Sequence, residues 1–355
     1  MKFFKNFVVC LGIFFILIGC GNNSFSRYDL TFFNVFDTVI DIIVYDKSEQ
    51  SANKNLALMR DEFERLHKLF DRYNDYDGVV NLKSINDRAY ISPMKIPDEL
   101  FNLIKRTLEL NRSTSSHVNI TMAPVIDLWQ KYSDLYNANY SDEDVRAMLG
   151  NNLPSEEDLN ALRAYIDEGN IVLNDSDKTI FIKNEFTKLD LGSVAKGYAT
   201  ELVADYARDE LGIKSFLISA GGNVKVVGKP YDKKFFKVAI QNPDDKDDSN
   251  TFLRVLEVND TSIVTSGDYQ RFFTYDGVRY THIYDSVTLK PVRSFKSVTV
   301  IAKDSMLCDY LSTTLFMSSI DEGKKLCKDF SAEAIWATKD GEVVMTDGAS
   351  KLVSQ

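Results

Sequence analysis

Lys188-Leu-Asp-Leu-Gly-Ser-Val-Ala-Lys-Gly-Tyr-Ala-Thr-Glu201 is the stretch around which the rest of the chain is organised. It reads as a short strand that enters a helix through a glycine-bearing turn carrying Asp190, Ser193 and Lys196. Val194, Tyr198, Leu202 and Tyr206 recur at helical spacing and are flanked by Ala195, Ala199 and Val203, which predicts one apolar stripe. Gly212 stands where a C-terminal cap is expected. Asp190 or Ser193 is placed to cap the N-terminus, where free N–H groups and the helix dipole favour an anion. Lys196, one turn inside, adds a full positive charge, and phosphate is the natural ligand of such a turn. The same residues would also serve an ordinary strand-to-helix connection with a solvated lysine.

On either side of this stretch the texture differs. Downstream, Ser215–Ser219, Val224–Val227, Phe235–Ile240, Leu253–Val258 and Ser297–Ala302 read as strands. Asp276-Gly277 marks a tight hairpin between Tyr269–Tyr275 and Val278–Tyr284. Met306–Ser318 reads as a helix, and Ala334–Ala337 with Val343–Met345 closes a hairpin around Asp340-Gly341. Immediately upstream, Ile171–Leu173 and Thr179–Ile182 form another hairpin. Before Asn170 the pattern is mostly helical. Thr31–Tyr45 reads as one strand, Leu56–Phe70 as an amphipathic helix, and Asp98–Arg112 as a second helix after a loop with Asn81 and Asn86. A helix starting near Pro124 includes Trp129, and Ser141 with Asp144 and Ser155 with Asp158 mark two further starts. The expectation is one α+β unit, with a helix-rich first half packed on a mainly antiparallel sheet.

The first residues carry an address. Lys2 and Lys5 precede the apolar run Phe7–Ile18, which is too short to span a bilayer and ends in Leu17-Ile-Gly-Cys20. That pattern resembles a bacterial lipobox, so residues 1–19 read as a lipoprotein signal peptide and Cys20 as the lipidated residue, leaving the protein extracytoplasmic and lipid-anchored. Residues 20–30 read as a tether and 31–355 as the catalytic domain. The chain is 44% apolar, enough for a substantial core, and its formal charge of −10 without a basic stripe argues against nucleic acid as a partner. Cys308 and Cys327 either pair or simply fill the core.

Asp309 and Thr313 are one helical turn apart, so both oxygens lie on one face. A carboxylate and a hydroxyl are hard ligands suited to Mg²⁺, although a first-turn carboxylate after a Ser305 cap and a threonine bonding back to a carbonyl would give the same spacing. His282, in the second arm of the Asp276-Gly277 hairpin, is a candidate general base. Gly221-Gly222 permits close approach of a ligand to the backbone or a tight turn, and Tyr73 and Tyr76 lie in a polar turn where they can stack on a flat ring. No P-loop, G-x-G-x-x-G or G-x-S-x-G motif occurs.

The order of these features resembles the ApbE family of FAD:protein FMN transferases. Leu189–Tyr198 is similar to its D-L-G-x-x-x-K-G motif, Ile218–Asn223 to its N-A-G-G-D/N turn and Val264–Tyr269 to its T-S-G-x-Y strand. His282-Ile-Tyr-Asp285 resembles H-I-x-D, and Met306–Thr313 resembles the A-D-x-L-S-T helix. The family's M-G-T appears as Phe36-Asp-Thr38, its F-D-P-T as Val118-Asn-Ile-Thr121, and its proline and glycine after the histidine motif as Ser286 and Leu289.

The resemblance implies an ApbE-like fold and phosphoryl transfer from FAD as substrate, with Mg²⁺ held by Asp309, Thr313 and the backbone carbonyl of Ser193. It implies nucleotide contacts from Asp190 and Lys196, a flavin side lined by Tyr73, Asn119 and Thr121, and His282 assisting a threonine or serine hydroxyl. The acceptor implied is an extracytoplasmic flavoprotein domain of a membrane redox complex of Rnf- or Nqr-like type, and AMP is the leaving group. An FAD pyrophosphatase giving FMN and AMP would use the same site, and a lipoprotein that only binds flavin would need neither the Asp309–Thr313 pair nor His282.

Overall fold

The computed structural model describes residues 24–114, 117–244 and 252–354. The signal peptide, Cys20 and most of the Asp244–Asn250 loop therefore lie outside the described residues. A hairpin of β1 (Ser26–Val35) and β2 (Thr38–Asp46) leads into α1 (Glu49–Phe70), α2 (Leu82–Arg88), the short β3 (Met94–Lys95) and α3 (Asp98–Thr114). Next come α4 (Ala123–Asn137), α5 (Asp142–Leu149), α6 (Glu156–Leu162), the hairpin β4 (Ile171–Asn174) and β5 (Thr179–Ile182), and α7 (Ala195–Asp209). The strands β6 (Phe216–Ala220), β7 (Asn223–Val227), β8 (Phe236–Gln241), β9 (Phe252–Val258), β10 (Thr261–Gly267), β11 (Phe272–Tyr275), β12 (Val278–Thr281) and β13 (Ser297–Ala302) follow. The chain closes with α8 (Ser305–Met317), α9 (Ile320–Asp329), β14 (Glu333–Ala337), β15 (Val343–Met345) and α10 (Asp347–Ser350).

Eight strands form one antiparallel sheet in the order β1-β2-β6-β7-β10-β13-β14-β15. Successive side chains point to opposite faces, and both faces are covered. Val264, Val298 and Val300 join the core under α1, α7 and α8, while Ile263, Ile301 and Ile335 pack on the β8–β9 hairpin. The central strand β13 is buried at every position. A third cluster joins α4, α5 and α6 to the β11–β12 hairpin through Trp129, Tyr132, Val145, Phe273 and Leu289. The fold is α+β, as the sequence predicts, with α7 and α8 from the second half sharing the helical layer with α1.

Several local expectations are corrected. Thr31–Tyr45 is a hairpin, because Phe36 and Asp37 both adopt left-handed conformations (φ 53° and 50°) that reverse the chain without a glycine. Strand β1 begins at Ser26, so residues 26–30 of the expected tether are paired with β2. The Asn81–Asn86 loop contains α2, whose capping box pairs Asn81 with Ser84 in place of the usual Glu or Gln. Helix α9 opens on a Ser319/Glu322 capping box. Helix α8 is capped by Asp304, which places Ser305 inside the helix. Helix α7 starts after Val194 with no side-chain cap, so neither Asp190 nor Ser193 serves that role. Its buried face runs through Ala195, Tyr198, Ala199, Val203, Ala204 and Ala207, leaving Leu202 and Tyr206 half-buried. Left-handed Gly212 does end the helix, letting the Ile213 N–H reach the Ala207 carbonyl. Cys308 and Cys327 are both free and buried.

Candidate active site

The organising turn is held from outside its own sequence. The Asn86 amide donates to the Leu189 carbonyl at 2.9 Å and accepts the Leu189 N–H at 2.7 Å, while the Asp190 N–H bonds to the Ile120 carbonyl. Asp190 accepts the Gly192 N–H through Oδ1, and its Oδ2 lies 2.6 Å from Arg72 Nε. That contact is an ion pair by distance but is not aligned as a hydrogen bond. Arg72 also pairs with Asp127 at 2.7 Å and lies 4.3 Å over the Tyr73 ring. Burial works against the Arg72 charge, but Asp190 and Asp127 outweigh it and raise its pKa. The charge of Asp190 also reaches half-buried Tyr284, whose phenol burial pushes up.

One turn into α7 the chain meets α8 at Gly197. A Cβ there would stand 2.4 Å from the Ser305 carbonyl oxygen and 2.5 Å from Asp309 Cβ, so only glycine permits this approach. The Gly197 N–H is thereby given to Asp309 Oδ2 at 2.8 Å. Gly197 is the third residue of α7, in the first turn, where N–H groups have no acceptor within the helix, so Asp309 satisfies an otherwise unpaired donor. The Ser193 carbonyl, just before the helix, accepts no hydrogen bond among the described residues. Asp309 is 5% exposed; desolvation raises its pKa, against the lowering effects of Lys196, the Gly197 N–H and the Asn223 side chain. Thr313 is half-buried on the same face, its Oγ1 3.5 Å from the Asp309 carbonyl. The Oδ1 of Asn223, a residue 2% exposed, has no hydrogen-bond partner.

This donor set fits a hard cation. It consists of oxygens around one buried carboxylate, the ligand type that hard cations prefer. Behind it, Glu201 and Lys225 form a buried pair at 2.9 Å, with Glu201 accepting the Ser305 N–H and Lys225 donating to the Lys303 carbonyl. The pair fastens α7, β7 and the start of α8 to one another.

His282 lies just past the end of β12, in a turn and not in the strand arm expected from the sequence. Its Nδ1 is 3.0 Å from the Arg271 carbonyl, which can only accept, so Nδ1 carries the proton and Nε2 presents a lone pair. The residue is exposed to solvent, with Lys196 and Arg271 near its ring. Desolvation, opposed by that hydrogen bond and reinforced by the Lys196 and Arg271 charges, pushes its pKa down to about 4. The imidazole is therefore neutral at neutral pH. Lys196 thus lies within electrostatic range of both His282 and Asp309. The following turn is fixed by Asp285, which takes His117 Nδ1 at 2.6 Å and the Val287 and Thr288 N–H groups.

The residues expected on the flavin side divide. Tyr73 is 61% exposed and Asn119 half-buried. Thr121 is fully buried and its N–H and Oγ1 both bond to Asn119 Oδ1, so it orients Asn119 and is not available to line a ligand face. Arg72, Asn86, Asn223 and Tyr284 are contributors that the sequence reading missed. Their partners are distant in the chain, and only Gly197, a glycine inside a helical pattern, carries a local sign of close approach.

A family model described as the ApbE family matches residues 36–336. The chain belongs to the ApbE family. Among relatives of this ApbE chain are the FAD:protein FMN transferase of Vibrio cholerae serotype O1, 28% identical over 320 residues and covering 90% of this chain and 89% of that protein, and that of Escherichia coli K12, 26% identical over 268 residues with 75% and 72% covered. The apbe protein of Thermotoga maritima superposes with a TM-score of 0.76 at 25% identity, covering 93% of this chain and all of that one. The flavin transferase ApbE from Vibrio cholerae gives 0.74 at 22% identity, with 92% and 99% covered. Two positions where the ApbE pattern has glycine hold Asp37 and Leu289 here, and both keep left-handed φ values of 50° and 59°. Leu289 is held there by burial and by the Trp129 indole bonding to its carbonyl.

Proposed function

We propose that the chain is a Mg²⁺-dependent FAD:protein FMN transferase that attaches FMN through a phosphoester to a threonine or serine of an extracytoplasmic redox protein. The observation that carries this reading is the Gly197 N–H bond to the buried Asp309 carboxylate, which brings it to the start of α7 near Lys196, a neutral His282 and a Ser193 carbonyl that accepts no hydrogen bond among the described residues. Asp309, Thr313 and the Ser193 carbonyl would hold the Mg²⁺, which when bound offsets negative charge on phosphate oxygens. Lys196 supplies a second positive charge at the same place, and Asp190 with Arg72 fixes the turn that receives the pyrophosphate. Nε2 of His282 accepts the proton of the acceptor hydroxyl as the new O–P bond forms, and the departing electron pair leaves on the phosphate oxygen of AMP. Tyr73 and Asn119 are offered to the isoalloxazine side.

The solvent exposure of His282 also favours a second reading, FAD hydrolysis to FMN and AMP with water as acceptor. The leader Lys2–Ile18 and Leu17-Ile-Gly-Cys20 support a lipid anchor at Cys20 outside the cytoplasm, where the acceptor domain of an Rnf- or Nqr-like membrane complex would be met. Incubation with FAD, Mg²⁺ and such a domain, with free nucleotides quantified over time, tests the reading. AMP appearing without an equal amount of free FMN is expected. Equimolar AMP and FMN would assign the hydrolase, and unchanged FAD would refute both.

A further inference from the structure

The sheet has two functionally different ends. Pairing of β2 with β6 and of β6 with β7 puts Ile40, Ala220 and Asn223 at one end and Val44, Phe216 and Val227 at the other. The first end holds Gly221-Gly222 and Asn223, next to Asp309. At the second end the described chain begins, with Ser26 opposite Asp46. The nine residues of β2 run between them, a separation of roughly 25 Å at about 3.3 Å per residue. Helix α7 spans the same direction, from the turn at Ser193 to Lys214, whose carbonyl abuts Gly228 at the second end.

At that second end Phe25 stacks on Tyr231 with ring centroids 3.8 Å apart, and Lys47 Nζ lies 5.3 Å over the Phe25 ring. Tyr231 is 48% exposed. Arg27, Lys47, Lys214, Lys229, Lys233 and Lys234 lie on the segments that meet at this end and are all exposed. The acids among them are Asp29, Asp46, Asp209, Asp232, Glu257 and Asp260, with Asp209 paired to Arg208 and Glu257 to Lys237. Asp46 is engaged by the Ser48 N–H and Ser51 Oγ, Asp260 by the Gly228 N–H, and Asp232 by the Tyr45 hydroxyl. Their ion pairs to Arg27 and Lys233 are long, at 3.8 and 3.9 Å, and Lys47, Lys214, Lys229 and Lys234 have no ion-pair partner among the described residues. Lysines without an ion-pair partner beside an exposed aromatic pair thus mark this end of a chain whose formal charge is −10.

We propose that this end of the sheet rests on an anionic lipid bilayer, with Phe25 and Tyr231 at headgroup depth and the lysines over lipid phosphates, so that the reaction site faces away from the membrane. The proposal rests on the Cys20 anchor proposed above. Cys20 precedes Phe25 by five residues, which span at most about 17 Å when extended, so a lipid on Cys20 brings this end of the sheet, and not the opposite one, to the bilayer. Basic residues then act within the roughly 8 Å over which charge attraction persists at physiological salt, and amphipathic aromatics favour the interface.

The test uses the membrane-extracted full chain, reconstituted in phosphatidylcholine vesicles with or without phosphatidylglycerol, and read by hydrogen–deuterium exchange. Slowed exchange in 26–30, 43–47 and 229–234, but not around the 35–38 turn at the other end of the same hairpin, is expected on the anionic vesicles alone. It should be lost on adding salt and in the Lys47→Glu/Lys229→Glu/Lys233→Glu/Lys234→Glu variant, but retained when the same charge change is made at Lys324, Lys325, Lys328 and Lys339, all exposed on other elements. Equal exchange on both vesicle types overturns the proposal, as does protection of this face by the acceptor protein and not by lipid. The mass of the N-terminal fragment separates the two readings: an unmodified Cys20 defeats the anchor, whereas a lipidated Cys20 with no protection defeats the orientation alone.

Discussion

Substituting Gly197 with alanine probes the contact on which the site depends. The added methyl would stand 2.4 Å from the Ser305 carbonyl oxygen and 2.5 Å from Asp309 Cβ, both parts of α8 that cannot rotate away. Since comfortable carbon contacts are roughly 3.5–4.0 Å, the helices must part by about 1 Å. The Gly197 N–H···Asp309 bond, now 2.8 Å, would then exceed hydrogen-bonding range. Overpacking costs about 1–3 kcal/mol, and loss of a bond to a charged group about 1.5–3 kcal/mol. Alanine's better helix propensity offsets at most about 1 kcal/mol. The net loss of roughly 1.5–5 kcal/mol lowers Tm by about 2–7 °C in a domain of this size. Displacement of Asp309 by about 1 Å reduces turnover by about a hundredfold. Calorimetry and FAD turnover on the same preparation measure both. A variant as stable as or more stable than the wild type, with full turnover, would refute the close approach.

Other outcomes follow from the charges. Lys196 lowers the pKa of both His282 and Asp309, so Lys196→Gln should raise both and move the acid limb of the pH–rate profile to higher pH; an unmoved limb would remove Lys196 from the site. The depressed His282 pKa also means that the unfolded chain binds the proton more readily between about 4 and about 6.5, so stability should fall as pH drops through that window, and less so in His282→Gln. Glu201→Gln strands the buried Lys225 charge and should cost about 3–5 kcal/mol in denaturant titrations, most of which Glu201→Gln/Lys225→Met restores. Equal destabilisation in the single and double variants would contradict that account.

What the sequence discloses of this site is what lies within one turn of helix or one hairpin. The α7 turn, the Asp276-Gly277 hairpin and the shared face of Asp309 and Thr313 depend on spacings of a few residues, and all were readable. The partners that make them a site are remote in the chain. Asn86 reaches Leu189 across 103 residues, and Gly197 meets Asp309 across 112. Arg72 is fixed between Asp127 and Asp190 in the same way. Misread elements share a different cause. Phe36 and Asp37 turn the chain in a conformation usually reserved for glycine, and Asn81 caps α2 with serine as its reciprocal partner. In neither case does residue type announce the geometry.

The most direct measurement is the intact mass of a threonine-bearing acceptor domain after incubation with FAD and Mg²⁺, using the wild type and Asp309→Asn side by side. Asparagine retains an oxygen for the Gly197 N–H but removes the buried charge, and circular dichroism and Tm verify that the fold persists. The account predicts a gain of one FMN on the acceptor with the wild type and none with the variant. FMN attachment by Asp309→Asn at the wild-type rate would contradict it.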